Sequence, residues 1–131
     1  MSGRLLLIED DPFTKKFYSH LFKKVNIPFL LSEDPAEIMS IVENEDVQLV
    51  LLDINLKNSS IDGKNVSGME LAKQIKQNAK SSHIPVILVS AYKKNKEINY
   101  FLENGFADDY ITKPITDLNL FLKKINKFIV N

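Results

Sequence analysis

Residues 5–12 read Leu-Leu-Leu-Ile-Glu-Asp-Asp-Pro. Four aliphatic residues without a polar interruption have the length and character of a β-strand covered on both faces. The run stops at three acids, and Asp11 followed by Pro12 has the form of a helix N-cap with proline at the first helical position. This one stretch predicts a strand, a helix that starts immediately after it, and carboxylates at the strand's C-terminal end.

The same pattern recurs along the chain. Apolar runs at Leu5–Ile8, Phe29–Leu31, Val47–Leu52, Val86–Val89 and, more weakly, Tyr110–Ile111 are of strand length. Between them, apolar residues keep helical spacing: Phe17, Leu21 and Val25; Ile38 and Val42; Leu71 and Ile75; Ile98, Phe101 and Leu102; Leu118, Phe121, Leu122, Ile125 and Ile129. Asp34 before Pro35 repeats the cap signal, and Gly105 stands where a left-handed residue would close the fourth helix. Five β-α repeats predict a single α/β domain, structured over about residues 4–130, with a parallel sheet and helices on both faces. Active residues are then expected at the C-terminal ends of the strands. Residues 57–67, polar and nearly without apolar anchors, predict an unusually long surface loop between the third strand and third helix.

The composition narrows the function classes. Seventeen basic residues balance seventeen acidic ones, which gives no support to a nucleic-acid or membrane-surface role. Without cysteine there are neither disulfides nor thiolate metal sites, and a reducing cytoplasm is the expected location. No apolar run reaches membrane-spanning length, and Met-Ser-Gly-Arg at residues 1–4 is too short for a secretory leader.

The predicted strand ends carry the chemistry. The first strand runs into Glu9-Asp10-Asp11, the third ends in Asp53, the fourth in Ser90-Ala91 and the fifth in Thr112-Lys113-Pro114. A doubly wound sheet sets these ends side by side, and clustered carboxylates repel unless a cation bridges them. Oxygen donors without His or Cys point to Mg²⁺, with Mn²⁺ as the related choice. Asp11 is explained by capping alone. His20 and His83 are expected to be ordinary surface residues, and Lys93, Lys94 and Lys96 the solvated start of the fourth helix.

Taken together, Leu-Leu-Ile-Glu-Asp-Asp-Pro, Leu-Val-Leu-Leu-Asp-Ile-Asn-Leu, Ser-Gly-Met-Glu-Leu, Ile-Pro-Val-Ile-Leu-Val-Ser-Ala and Asp-Asp-Tyr-Ile-Thr-Lys-Pro-Ile resemble the receiver domain of two-component response regulators. The single-domain chemotaxis regulators are included in that likeness. The resemblance implies a flavodoxin-like sheet of strand order 2-1-3-4-5 with five helices. It implies that Asp53 is a phosphoacceptor whose carboxylate becomes an acyl phosphate. Glu9, Asp10, Asp53 and the main-chain carbonyl of Asn55 would hold the metal, and Lys113 would contact the phosphoryl group. Ser90 and Tyr110 would be the switch pair, and Lys113–Pro114 the position of a cis bond. The implied partners are a sensor histidine kinase or histidine phosphotransfer protein and a downstream effector, reached through the α4-β5-α5 face. The implied state is a monomer or a phosphorylation-promoted homodimer. Such a domain assists its own phosphorylation and dephosphorylation and is not an enzyme acting on a separate metabolite.

Two departures from the family pattern stand out. Lys57 replaces a usual proline, and Gly68 follows Asp53 by fifteen residues rather than about eight. An insertion of about seven residues is expected within Lys57–Gly63, over the site, either as a disordered surface excursion without a role or as a segment that shields the acyl phosphate, contacts a partner or brings Asp62 near the metal. One extra residue lies near Phe106. Two alternatives stay open: an interaction module of the same fold that works without phosphorylation, and a phosphatase with an aspartyl nucleophile. The phosphatase is disfavoured because the first strand lacks an Asp-x-Asp pair and there is no room for a cap domain. The four glycines form no phosphate loop. Both a stand-alone regulator and a segment of a larger or hybrid-kinase protein fit the sequence.

Overall fold

The unbroken aliphatic runs form one parallel sheet. A computed structural model of the chain describes residues 4–56, 60–61, 64–65, 67–91 and 93–129. Its strands β1 (Arg4–Ile8), β2 (Phe29–Ser32), β3 (Val47–Asp53), β4 (Val86–Ser90) and β5 (Asp109–Thr112) lie in the order β2-β1-β3-β4-β5, all neighbours parallel. Five helices alternate with them: α1 (Pro12–Lys24), α2 (Pro35–Asn44), α3 (Gly68–Gln77), α4 (Lys96–Glu103) and α5 (Leu118–Phe128). This is the flavodoxin-like arrangement.

Alternation along each strand sorts the core into two layers. Leu5, Leu7, Leu49, Leu51, Ile87 and Val89 face α1 and α5, where Tyr18, Phe22 and Phe121 fill the space with rings about 6 Å apart. Leu6, Ile8, Val50, Leu52, Val86 and Leu88 face α2, α3 and α4. The central strands are covered on both sides, so their polar side chains lie at or near the strand ends.

The expected helix ends are present. Asp11 accepts from the Thr14 amide at 2.9 Å and Asp34 from the Ala36 amide at 3.1 Å, each followed by proline. The Thr14 hydroxyl and amide hold the Asp11 carboxyl below its ordinary range. Gly105 adopts φ +77°, and the Phe106 amide donates to the Phe101 carbonyl at 2.9 Å while their rings meet at 5.4 Å. That is a Schellman cap with its hydrophobic contact. Asn26, at φ 58°, closes α1 in the same way, its successor Ile27 donating to Phe22 O at 2.9 Å.

Three details differ from the sequence reading. The buried face of α1 centres on Tyr18, Leu21 and Phe22, while Val25 lies at the exposed C-cap. Leu118 is 43% exposed although it falls on the apolar stripe of α5. The long β3–α3 connection is not without secondary structure: Ser60–Ile61 pairs antiparallel with Lys64–Asn65, and the first of these strands lies beside α2. Asp62 and Lys57–Ser59 lie outside the described residues.

Replacing Gly105 by alanine forces an L side chain into the left-handed region. The expected loss is about 1 kcal/mol in a urea titration, with an unchanged denaturant slope.

Candidate functional site

Glu9 continues the phase of Leu5 and Leu7, and Asp53 that of Leu49 and Leu51, so both leave adjacent strands on the α1–α5 side. Both are buried, Glu9 completely, whereas Asp10 is half-buried. One carboxylate oxygen from each of Glu9, Asp10 and Asp53 lies within 4.8 Å of the others. At that separation two full negative charges repel by about 3–4 kcal/mol in a medium of effective dielectric ~20.

Lys113, just beyond β5, answers part of that repulsion. Its Nζ lies 2.8 Å from Glu9 Oε1 and 3.3 Å from Asp53 Oδ2. The main chain holds it there, because the Lys113 amide donates to the Ser90 carbonyl at 2.7 Å, and the Lys113–Pro114 peptide bond is cis. The remaining oxygens have amide partners: Asp11 N–H donates to Glu9 Oε2 at 3.2 Å and Asn55 N–H to Asp53 Oδ1 at 2.9 Å.

Ionisation reflects this arrangement. Burial pushes the Glu9 carboxyl up to about 7, aided by the neighbouring Asp53 and opposed by Lys113. Burial works against the Lys113 ammonium, yet the hydrogen bond to Glu9 and the charges of Asp53 and Glu9 hold it above the usual lysine range. Tyr18 lies beneath the cluster, and its phenol is raised by burial and then by the negative Glu9 and Asp53.

The donor set fits a hard divalent cation. It is oxygen only, with three carboxylates and one ammonium, which leaves a deficit of two positive charges when all are ionised. The Asn55 amide is committed to Asp53, and Asn55 stands directly beside the cluster.

Of the other residues singled out in the sequence, Ser90 is fully buried at the end of β4, one residue past Val89, the register partner of Asp53. Tyr110, paired with Leu88, is buried on the opposite layer, and its hydroxyl has no hydrogen-bond partner among the described residues. His20 and His83 are exposed and away from the cluster, and Lys93, Lys94 and Lys96 are exposed at the start of α4.

The sequence reading missed the rim of the site. Phe13, 82% exposed on α1, joins Phe17, Ala91, Pro114 and Ile115 around an apolar cleft of about 290 Å³ that also touches Lys113. No signal in the sequence marked it, because Phe13 is in phase with Phe17, Leu21 and Val25, whereas the face that packs centres on Tyr18, Leu21 and Phe22. A second cavity, of about 510 Å³, opens between the start of α4, β5 and α5, lined by Lys93, Tyr110, Leu120, Phe121 and Lys124 among others.

Known proteins resemble this chain along most of its length. Residues 5–126 match the family described as the response regulator receiver domain. The chain is 25% identical to the polar-differentiation response regulator DivK of Brucella ovis, covering 98% of both chains. It is 32% identical to the aerobic respiration control protein ArcA of Escherichia coli K12 over 93% of this chain, but spans only 47% of that protein. The receiver domain of the sensor histidine kinase PA1611 of Pseudomonas aeruginosa PAO1 superposes with a TM-score of 0.77 over 98% of both chains at 16% identity, and that structure has a magnesium ion coordinated in its active-site cleft.

The raised Glu9 carboxyl has a consequence for stability. The folded state binds this proton more tightly than the unfolded chain, so the contribution is complete below about 4.5 and is lost as pH rises through about 7. With a chelator present, Glu9→Gln is expected to be more stable than the wild type at pH 8, by on the order of 1–3 kcal/mol. The difference should shrink toward pH 4.5 in urea titrations across this range.

Proposed function

The chain belongs to the response regulator receiver domains of two-component systems, and from that premise we propose that it is a phosphoacceptor switch centred on Asp53. A phosphohistidine of a sensor kinase or phosphotransfer protein is the donor. An Asp53 carboxylate oxygen attacks phosphorus, the phosphorus–nitrogen bond breaks, and the imidazole leaves with the electron pair and takes up a proton. The observation that carries the reading is the convergence of Glu9, Asp10 and Asp53 from two adjacent strands, with Lys113 bridging Glu9 and Asp53 from a third.

Each residue has a stated task. Glu9, Asp10, Asp53 and the Asn55 carbonyl would hold Mg²⁺, or Mn²⁺ in its place. That ion supplies charge neutralisation for the acceptor and the incoming phosphoryl oxygens. Lys113 sets a positive charge beside Asp53 Oδ2, where the phosphoryl oxygens gather. The buried Ser90 hydroxyl is the near neutral donor, and Tyr110 is the residue coupled to it. The apolar cleft at Phe13 and Pro114 flanks the approach to Lys113 and gives a donor protein a surface to cover. The output is a changed affinity for an effector at the α4–β5–α5 face, where Tyr110 and the larger cavity lie.

Incubation with acetyl phosphate and Mg²⁺, followed by intact-mass measurement, is the direct test. The wild type should gain the mass of one phosphoryl group. Asp53→Asn should gain none while keeping its far-UV circular dichroism, and Lys113→Ala should label more slowly, by about tenfold or more. An unlabelled wild type would favour the interaction module that works without phosphorylation. Labelling of Asp53→Asn at another side chain would reject the site, and turnover of a simple phosphoester would favour the phosphatase.

A further inference from the structure

Gly68 opens α3 and is far from Asp53 in sequence, yet it lies against the acceptor's main chain. A Cβ built on it would stand 2.5 Å from Ile54 Cα, 3.0 Å from the Asp53 carbonyl carbon and closer still to the Asp53 carbonyl oxygen. These are backbone atoms, which cannot turn aside as the tip of a side chain can. The Gly68 amide also donates to the Ile54 carbonyl at 3.3 Å. Gly68 has no positive φ, so the position requires space and not left-handed freedom.

The strand cannot retreat from such a contact. Asp53 is in register with Val89, and the Ile54 amide donates to Val89 O at 3.0 Å. The next amide, that of Asn55, donates to Asp53 Oδ1 at 2.9 Å. A continuous set of contacts therefore runs from Gly68 through Ile54 to the amide that orients the acceptor carboxylate.

We propose that Gly68 is a positioning residue for phosphoryl acceptance. Its missing side chain lets the start of α3 seat on the Asp53–Ile54 main chain, which fixes the Asn55 amide and, through it, the Asp53 carboxylate. The inference rests on reading Asp53 as the acceptor. It also accounts for the inserted connection. Because Ile54 and Gly68 are hydrogen-bonded to each other, the intervening chain leaves and returns at one point, and α3 keeps its seat despite the added length.

The test compares Gly68→Ala with Gly105→Ala, a second glycine substitution that weakens the fold but whose added Cβ would meet nothing within 4 Å. Initial labelling rates are measured by intact mass at saturating acetyl phosphate and Mg²⁺, at a temperature where circular dichroism shows each chain folded. Should Gly68→Ala not be folded there, all three proteins are measured in trimethylamine N-oxide, which favours the compact state. Gly105→Ala is expected within about twofold of wild type and Gly68→Ala slower by about tenfold or more, as for a reacting group misplaced by roughly an ångström. Equal rates for the two variants would overturn the positioning role while leaving Asp53 as acceptor. A wild type that takes no label would instead remove the premise, and the inference with it.

Discussion

Carboxylates brought together in a half-dry crevice repel one another, and the top of this sheet is organised around that repulsion. Glu9 and Asp53 leave adjacent parallel strands in the same phase, with Asp10 close enough for all three to share a cation. Among the described residues, the Lys113 ammonium and the Asp11 and Asn55 amides offset part of that repulsion, and burial pushes the Glu9 carboxyl up to about 7. The site is therefore poised for added positive charge and costly to leave without it. A structure optimised for stability alone would place apolar residues here.

Holding that cluster in register falls to main-chain contacts more than to side chains. The Lys113 amide is tied to Ser90 O, the Ile54 amide to Val89 O, and the Gly68 amide to Ile54 O. These bonds join the ends of β3, β4 and β5 and the start of α3. The strands beneath them are apolar on both faces and cannot shift without exposing the core. Clamps at the opposite end of the sheet act in the same sense: Lys76 Nζ reaches Asp108 Oδ2 at 2.7 Å, and that oxygen accepts the Val86 amide at 2.8 Å, fixing where β4 begins.

Tyr110 is buried in the layer opposite Glu9 and Asp53 and lines the cavity beside α5. It sits one strand from Leu88 and two residues past Asp108, with an aromatic ring in the core and a hydroxyl that has no partner among the described residues. A buried hydroxyl left without a bond costs on the order of 1–3 kcal/mol. A rearrangement that gives it a partner would therefore be favoured, and the cavity it borders is large enough to admit one.

Most of the fold was legible in the sequence because its signals are local. Unbroken aliphatic runs mark strands buried on both faces, Asp-Pro marks helix starts, and a glycine at the end of α4 marks its cap. The acids, the serine and the lysine were legible as strand-end residues because a doubly wound sheet gathers such ends. The tertiary structure alone decided which atoms meet: that Lys113 bridges Glu9 and Asp53, that Phe13 is left exposed at the rim, and that Tyr110 buries its hydroxyl. It alone decided, too, that Gly68 returns to the Asp53–Ile54 backbone across a long connection. The physical reason is that spacing along the chain encodes periodicity and caps, whereas contacts between residues distant in sequence are set by packing against a shared sheet.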